Sequence, residues 1–266
     1  KGMKAPQFSL PTLKGGKRIF HLAPKSEELA GYQETLRQRI ADIAARKGPP
    51  QKGDDILLSV INDGRHAAID MRFVNSWLAS DPASKLNEMI ANVHRIWKET
   101  KDKQFYDPTS EYKTPTLKGP ATQMIFSNLG IGEGSSARTF SGYKWMRQEL
   151  VRLGVPRDQI AFIKDFDKNP TTKQKLFNDM NAGKIRILIG STDKMGTGVN
   201  AQKRLYALHN MDPLWFPADD EQRVGRILRQ GNMNPEIEVH DYSTKGTYDA
   251  QMWDLMGNKG RFIEQF

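Results

Sequence analysis

The chain has 266 residues, 38% of them hydrophobic, a formal net charge of +9 and no cysteine. The missing thiols exclude disulfides, cysteine-ligated zinc and thiol catalysis, and suit a reducing, cytoplasmic compartment. No apolar run approaches the roughly 20 residues of a membrane span, and residues 1–10 lack the apolar core of a signal peptide. The basic surplus points weakly to polyanions such as nucleic acid, an ordinary basic surface being the alternative. Lys1-Gly2-Met3 reads as the middle of a longer polypeptide.

Residues 1–25 are extended and punctuated by Pro, Gly and Lys. Ser26 then caps a helix on which Leu29, Tyr32, Leu36, Ile40 and Ile43 recur at helical spacing, before Gly48-Pro49-Pro50 stops it. The apolar run 56–60 is ambiguous between helix and strand. A second helix starts around Pro82–Ser84, with Leu86, Met89, Ile90, Val93, Ile96 and Trp97 on one face. Residues 101–120, rich in Lys, Pro and Thr, read as a loop. From Thr122 strands (123–127, 161–163, 185–189, 205–208, 237–242) alternate with helices (142–153, 171–181, 217–230, 247 onward). This alternation predicts an α/β domain, a mostly parallel sheet with helices on both faces and function at the carboxyl ends of its strands.

The stretch Asp219-Asp220-Glu221-Gln222-Arg223-Val224-Gly225-Arg226-Ile227-Leu228-Arg229-Gln230-Gly231 carries the most chemistry. On one continuous helix Val224, Ile227 and Leu228 share a side and Arg223, Arg226 and Arg229 gather on the other. Three guanidinium groups on one face call for an anion, and the planar Arg fork suits phosphate. A solvated basic face, paired with the acids of its own first turn, is the alternative. Upstream, Gly190-Ser191-Thr192-Asp193-Lys194-Met195-Gly196-Thr197-Gly198-Val199-Asn200 follows an apolar strand, where a Gly-rich turn lets backbone N–H groups approach phosphate.

The pattern Q-R-x-G-R-x-x-R resembles motif VI of superfamily 2 helicases, and residues 190–200 resemble motif V, in the correct order. Residues 123–128 are similar to motif IV. Ser84-Lys85-Leu86 resembles the S-K-x helix of the chromatin-remodeller-like branch, Thr247-Tyr248-Asp249-Ala250-Gln251-Met252 with Lys259 its closing helix, and residues 13–47 its inter-lobe linker. Residues 123–130 and 206–212 resemble, more narrowly, the large helicase–methyltransferase proteins of phages, plasmids and mobile elements. Met195-Gly196-Thr197-Gly198 stands where A-G-G-x-G is commoner, and Gln230-Gly231-Asn232 where I-G-Q is usual, departures that bear on partner choice.

The resemblance implies a RecA-like three-layer lobe over residues 81–266, preceded by a mainly helical linker over 1–80. It implies an ATP-dependent DNA helicase or translocase. Arg226 and Arg229 are expected at the γ-phosphate as arginine fingers. Gly196, Gly198, Asn200, Gln222 and Arg223 are expected at the nucleotide. Ser127, Asn128, Ser191, Thr192 and Lys194 are expected at a nucleic-acid backbone, duplex DNA being favoured over RNA. The alternatives are an idle DNA-binding or docking module and a scaffold in a DNA modification complex.

No G-x-x-x-x-G-K-[ST] occurs, so ATP and Mg²⁺ are expected to be held mainly by an N-terminal RecA-like lobe, and this chain alone to be inactive. Gly15-Gly16-Lys17 has the wrong spacing and Gly132-Glu133-Gly134-Ser135-Ser136 lacks the lysine. Asp219-Asp220-Glu221 precedes the Arg stretch instead of ending a strand. His21, His66, His94, His209 and His240 are scattered without metal spacing, and Met195, Met211 and Met252 read as packing residues.

Overall fold

The computed structural model describes residues 8–130, 140–196, 198–214 and 216–254. Gly132–Ser136, Thr197 and Lys259, singled out above, lie outside them. Strands β5 (Thr122–Phe126), β6 (Ile160–Phe162), β7 (Ile187–Gly190), β8 (Leu205–Asn210) and β9 (Glu236–Thr244) form a parallel sheet in the order β9-β8-β5-β7-β6. Its strands are almost wholly buried, because helices cover both faces. The pleat of β5 divides the core in two. Ile125 packs with Leu86, Met89, Ile90 and Val93 of α3 (Lys85–Glu99) and Tyr143, Met146 and Leu150 of α4 (Gly142–Arg152). Met124 and Phe126 pack on the other side with Leu176, Phe177 and Met180 of α5 (Pro170–Asn181).

The N-terminal segment is part of this sheet. β1 (Thr12–Leu13) and β2 (Ile19–Ala23) both run parallel to the outer edge of β9, with Thr12 opposite Glu236 and Ile19 opposite His240. Extended backbone beside an open edge finds its hydrogen bonds there. Ser26 accepts from the Leu29 N–H to start α1 (Glu27–Ala45), as its sequence predicts. The ambiguous run is helical: α2 (Leu57–Ile69) lies on α1, with Arg39 bridging Asp55 and Asp63. Residues 101–120 are not a plain loop. β3 (Lys103–Tyr106) and β4 (Pro115–Gly119) form an antiparallel hairpin pinned by fully buried Phe105. Among the described residues no helix is long and apolar enough to cross a membrane.

Two regions far apart in sequence meet beneath the sheet ends. Lys85, at the start of α3, is fully buried and donates to the carbonyls of Met211 (2.6 Å) and Tyr242 (3.4 Å) and to the Asp249 carboxylate. Asp249 lies in the closing helix, described over 248–254, and its carboxyl pKa is raised by burial and held back by Lys85.

Candidate nucleotide and nucleic-acid site

β7 and β8 are consecutive in the chain yet flank β5 on opposite sides. Such a reversal of strand order opens a crevice above the carboxyl ends of the strands. Three turns reach into it: residues 127–130 after β5, α6 (Thr192–Gly196) after β7, and residues 211–214 after β8. Gly190 closes β7 with no room for a side chain, since an added Cβ would collide with Ile163 and Met195. The stretch after it opens with one helical turn, and the left-handed backbone comes later, at Gly198 (φ 67°).

Arg223 ties these turns together. It is fully buried at the end of α7 (Pro217–Val224). Its Nε donates to Thr192 Oγ1 at 2.8 Å. Its Nη1 donates to the Asp212 carbonyl at 2.9 Å and Asn210 Oδ1 at 3.3 Å, and its Nη2 to Asp212 Oδ1 at 3.0 Å. The other Asp212 oxygen accepts the backbone N–H groups of Asn128 (2.9 Å) and Leu129 (3.1 Å). Asn128 Oδ1 in turn accepts from Thr192 N and Oγ1, at 2.8 and 3.0 Å. A buried guanidinium is thus matched by one carboxylate and a closed set of acceptors, which a buried charge requires.

This geometry corrects the expected Arg face. The helix stops at Val224, and from Arg226 the backbone continues in short-range turns, Arg226 N to Arg223 O and Ile227 N to Val224 O. Arg223 has its anion inside the protein, Asp212, and does not share a surface with the other two. Arg226 and Arg229 stand apart from it and near each other. Arg226 is partly buried, and its Nε is buried with no hydrogen-bond partner among the described residues. Its pKa is lowered, first by burial and then by the charge of Arg229. Arg229 donates to the Val199 carbonyl at 2.7 Å, and Gln202 Nε2 to the Gln230 carbonyl at 3.0 Å. The two resembling segments are therefore bolted together at Thr192–Arg223 and Val199–Arg229, with Gln202–Gln230 just beyond them.

The other expected residues divide. Gly198 and Asn200 are exposed and Gln222 half-buried, on the turn and helix that these bolts hold together. Ser127 and Thr192 are buried, and their hydroxyls are engaged inward, Ser127 with the Leu129 carbonyl at 2.7 Å and Thr192 as above. They brace the turns and do not offer free donors to a phosphate chain. Ser191 is buried behind α6, and its carbonyl accepts the Met195 N–H. Lys194 is exposed, but Asp167 pairs with both it and Lys173. Asn128 is half-buried, with its side-chain oxygen committed to Thr192. Asp212 escaped the sequence reading. An acid just past an apolar strand was the available signal, since such a residue sits over the strand ends.

Beyond this crevice, three of the scattered histidines converge. His21 Nε2 lies 2.8 Å from His240 Nδ1, and His240 Nε2 lies 2.8 Å from Glu238. His209, buried, bonds Tyr242 and Gln123, both at 2.8 Å. Among the described residues no group of three or more His, Asp or Glu side chains could hold a metal ion.

A parallel sheet with helices on both faces, a crevice at its strand reversal and an arginine pair beside it define a RecA-like lobe of the kind found in helicases. Residues 143–231 match the model of the helicase conserved C-terminal domain. That matched region, a part of the chain, includes both segments that resemble motifs V and VI. It is 29% identical over 117 residues to the DNA repair protein RAD5A of Arabidopsis thaliana, covering 43% of this chain and 11% of that protein. It is 32% identical over 93 residues to a Bacillus subtilis protein named uncharacterized ATP-dependent helicase YqhH, covering 35% of this chain and 16% of that protein. The chain thus spans a small part of these relatives. The fold is similar to the Sulfolobus solfataricus SWI2/SNF2 ATPase C-terminal domain (TM-score 0.58, 14% identity, 91% of this chain and 86% of that one). It is also similar to the C-terminal part of the Fun30 ATPase domain (TM-score 0.55, 13% identity, 93% and 90%).

Proposed function

We propose that the chain is the second motor lobe of an ATP-dependent DNA helicase or translocase, with duplex DNA as its track. The observation that carries this reading is Arg226. Its Nε is buried with no partner among the described residues, and burial, with Arg229 nearby, lowers its pKa. That arrangement is costly unless an anion arrives, and it stands where motif VI places arginine fingers. ATP and Mg²⁺ would be held mainly by a first RecA-like lobe, and the bound nucleotide supplies the phosphoryl group to be transferred. Arg226 and Arg229 would then stabilise charge on its γ-phosphate. Gly196, Gly198, Asn200 and Gln222 would close the nucleotide side of the cleft. Arg223 orients this apparatus from inside the lobe and does not touch phosphate.

For nucleic acid, Lys194 and the Asn128 amide on the turns after β7 and β5 would meet the backbone. Ser127, Ser191 and Thr192 act indirectly, by holding those turns. Such contacts grip phosphates and leave base edges unread. The test is turnover in the two-lobe protein. Arg226→Ala or Arg229→Ala should lower DNA-stimulated ATP hydrolysis by about 10³–10⁵-fold, the usual contribution of an arginine finger, with the fold unchanged by circular dichroism. Near-normal turnover in both variants would defeat the assignment.

A further inference from the structure

Arg18, between β1 and β2, is shared by two elements. It donates to Asp220 on α7 at 2.5 and 3.0 Å, and to Asp241 on β9 at 2.6 Å from each of two nitrogens. Its guanidinium lies 5.6 Å from the ring centre of Trp253. The Asp241 side chain is fully buried and that of Asp220 partly so. The carboxyl pKa of Asp241 is raised, chiefly by burial and also by Asp220, and Arg18 opposes both. Asp241 also accepts from Asn210 at 2.8 Å, and Asn210 accepts from Arg223. Meanwhile α7 is eight residues long, starts without a side-chain cap and buries only Arg223. It is held on the sheet by Arg223 and the packing of Val224 at its end, and by Asp220, through Arg18, at its middle.

We infer that Arg18 is a positioning residue for the nucleotide site: the segment leading into the lobe clamps α7 onto β9 through Asp220 and so sets where Arg226 and Arg229 stand. Without the guanidinium, two carboxylates face each other with no counter-ion, and their repulsion lifts α7 from the sheet. Arg226 follows α7 by two residues, so it moves with it. A misplacement of about 1 Å can cost on the order of 10²-fold in rate. A change in the path of the segment before β2 thus reaches the arginine pair through one side chain.

This inference rests on the motor-lobe reading, and the experiment separates the two. ATP turnover and duplex DNA affinity are measured on the two-lobe protein, wild type and four variants. Arg18→Gln should lower kcat by about 10–100-fold while KM for ATP and DNA affinity stay within about twofold. Asp220→Asn, which keeps the Arg18–Asp241 pair and the fold, should lower kcat a few-fold. Adding Asp220→Asn to Arg18→Gln removes the repulsion and should restore part of the lost kcat, a rescue that a purely stabilising ion pair would not give. Wild-type kcat in both Arg18→Gln and Asp220→Asn, or a double variant slower than Arg18→Gln, would overturn the positioning role. If Arg226→Ala, the fourth variant, also kept full turnover, or the wild type hydrolysed no ATP, the motor reading would fall with it.

Discussion

At the scale of single residues, three arginines three apart in sequence occupy two different environments. Arg223 is sealed against Asp212 and Thr192, so its removal leaves a buried carboxylate without a counter-charge. Breaking such a pair costs about 3–5 kcal/mol. Arg223→Ala should therefore shift the urea midpoint strongly, whereas Arg226→Ala should barely move it and instead abolish turnover. Equal loss of stability in the two variants would show that the division drawn here is wrong. The motif pattern put Arg223, Arg226 and Arg229 on one face, whereas Arg223 is buried against Asp212 and the other two lie apart from it. Helical periodicity was extended past Gly225, where the backbone tightens. The partner that decides the role of Arg223, eleven residues earlier, is brought to it only by the turn between β8 and α7.

At the scale of elements, the alternation from β5 onward was readable because β5 to β8 are short and largely apolar and α4 and α5 have capping residues and an apolar face. What escaped were elements whose partners lie far away in sequence. β1 and β2 are short segments in a stretch punctuated by Pro, Gly and Lys, and they become strands because β9 offers an edge. The β3–β4 hairpin hides behind Lys, Pro and Thr, with Phe105 its one deep anchor. Lys85 and Asp249, each noticed in its own segment, form one buried pair. Lys85→Ala should cost about 3–5 kcal/mol by stranding Asp249, read as a drop in the urea midpoint; a change below about 1 kcal/mol, the range of exposed pairs, would argue against it. The histidine cluster joins β2, β8, β9 and α3. Burial, with His240, His21 and Arg95 nearby, keeps the pKa of His209 well below its usual value, and burial with His240 lowers that of His21 against the pull of Glu88. Unfolding frees both to about 6.5. Below that pH the unfolded chain takes up protons that the native state refuses, so stability should fall as pH drops from 7.5 to 5, by up to about 1.4 kcal/mol per pH unit for each group. Urea midpoints across that range should slope less steeply in His209→Gln than in the wild type; parallel slopes would remove His209 from the explanation.

At the scale of the whole molecule, the proposed function makes the lobe one wall of a nucleotide cleft that also meets a nucleic-acid backbone. Alone it should bind duplex DNA weakly, with a dissociation constant of roughly 10⁻⁴–10⁻⁶ M, and without sequence preference. Each phosphate neutralised contributes about −0.9 to the log–log salt slope. Lys194→Gln should flatten that slope by about one contact, uniformly across sequences, in titrations at three salt concentrations. Tight binding to one sequence that salt leaves unmoved would indicate base recognition instead. The most direct measurement is ATP turnover by this chain alone and by the two-lobe protein, both with duplex DNA. Background hydrolysis by the chain alone and DNA-stimulated hydrolysis by the two-lobe protein, lost in Arg226→Ala, is the expected result; turnover of even ~1 s⁻¹ by the chain alone, low in the usual enzyme range, would contradict a site divided between two lobes.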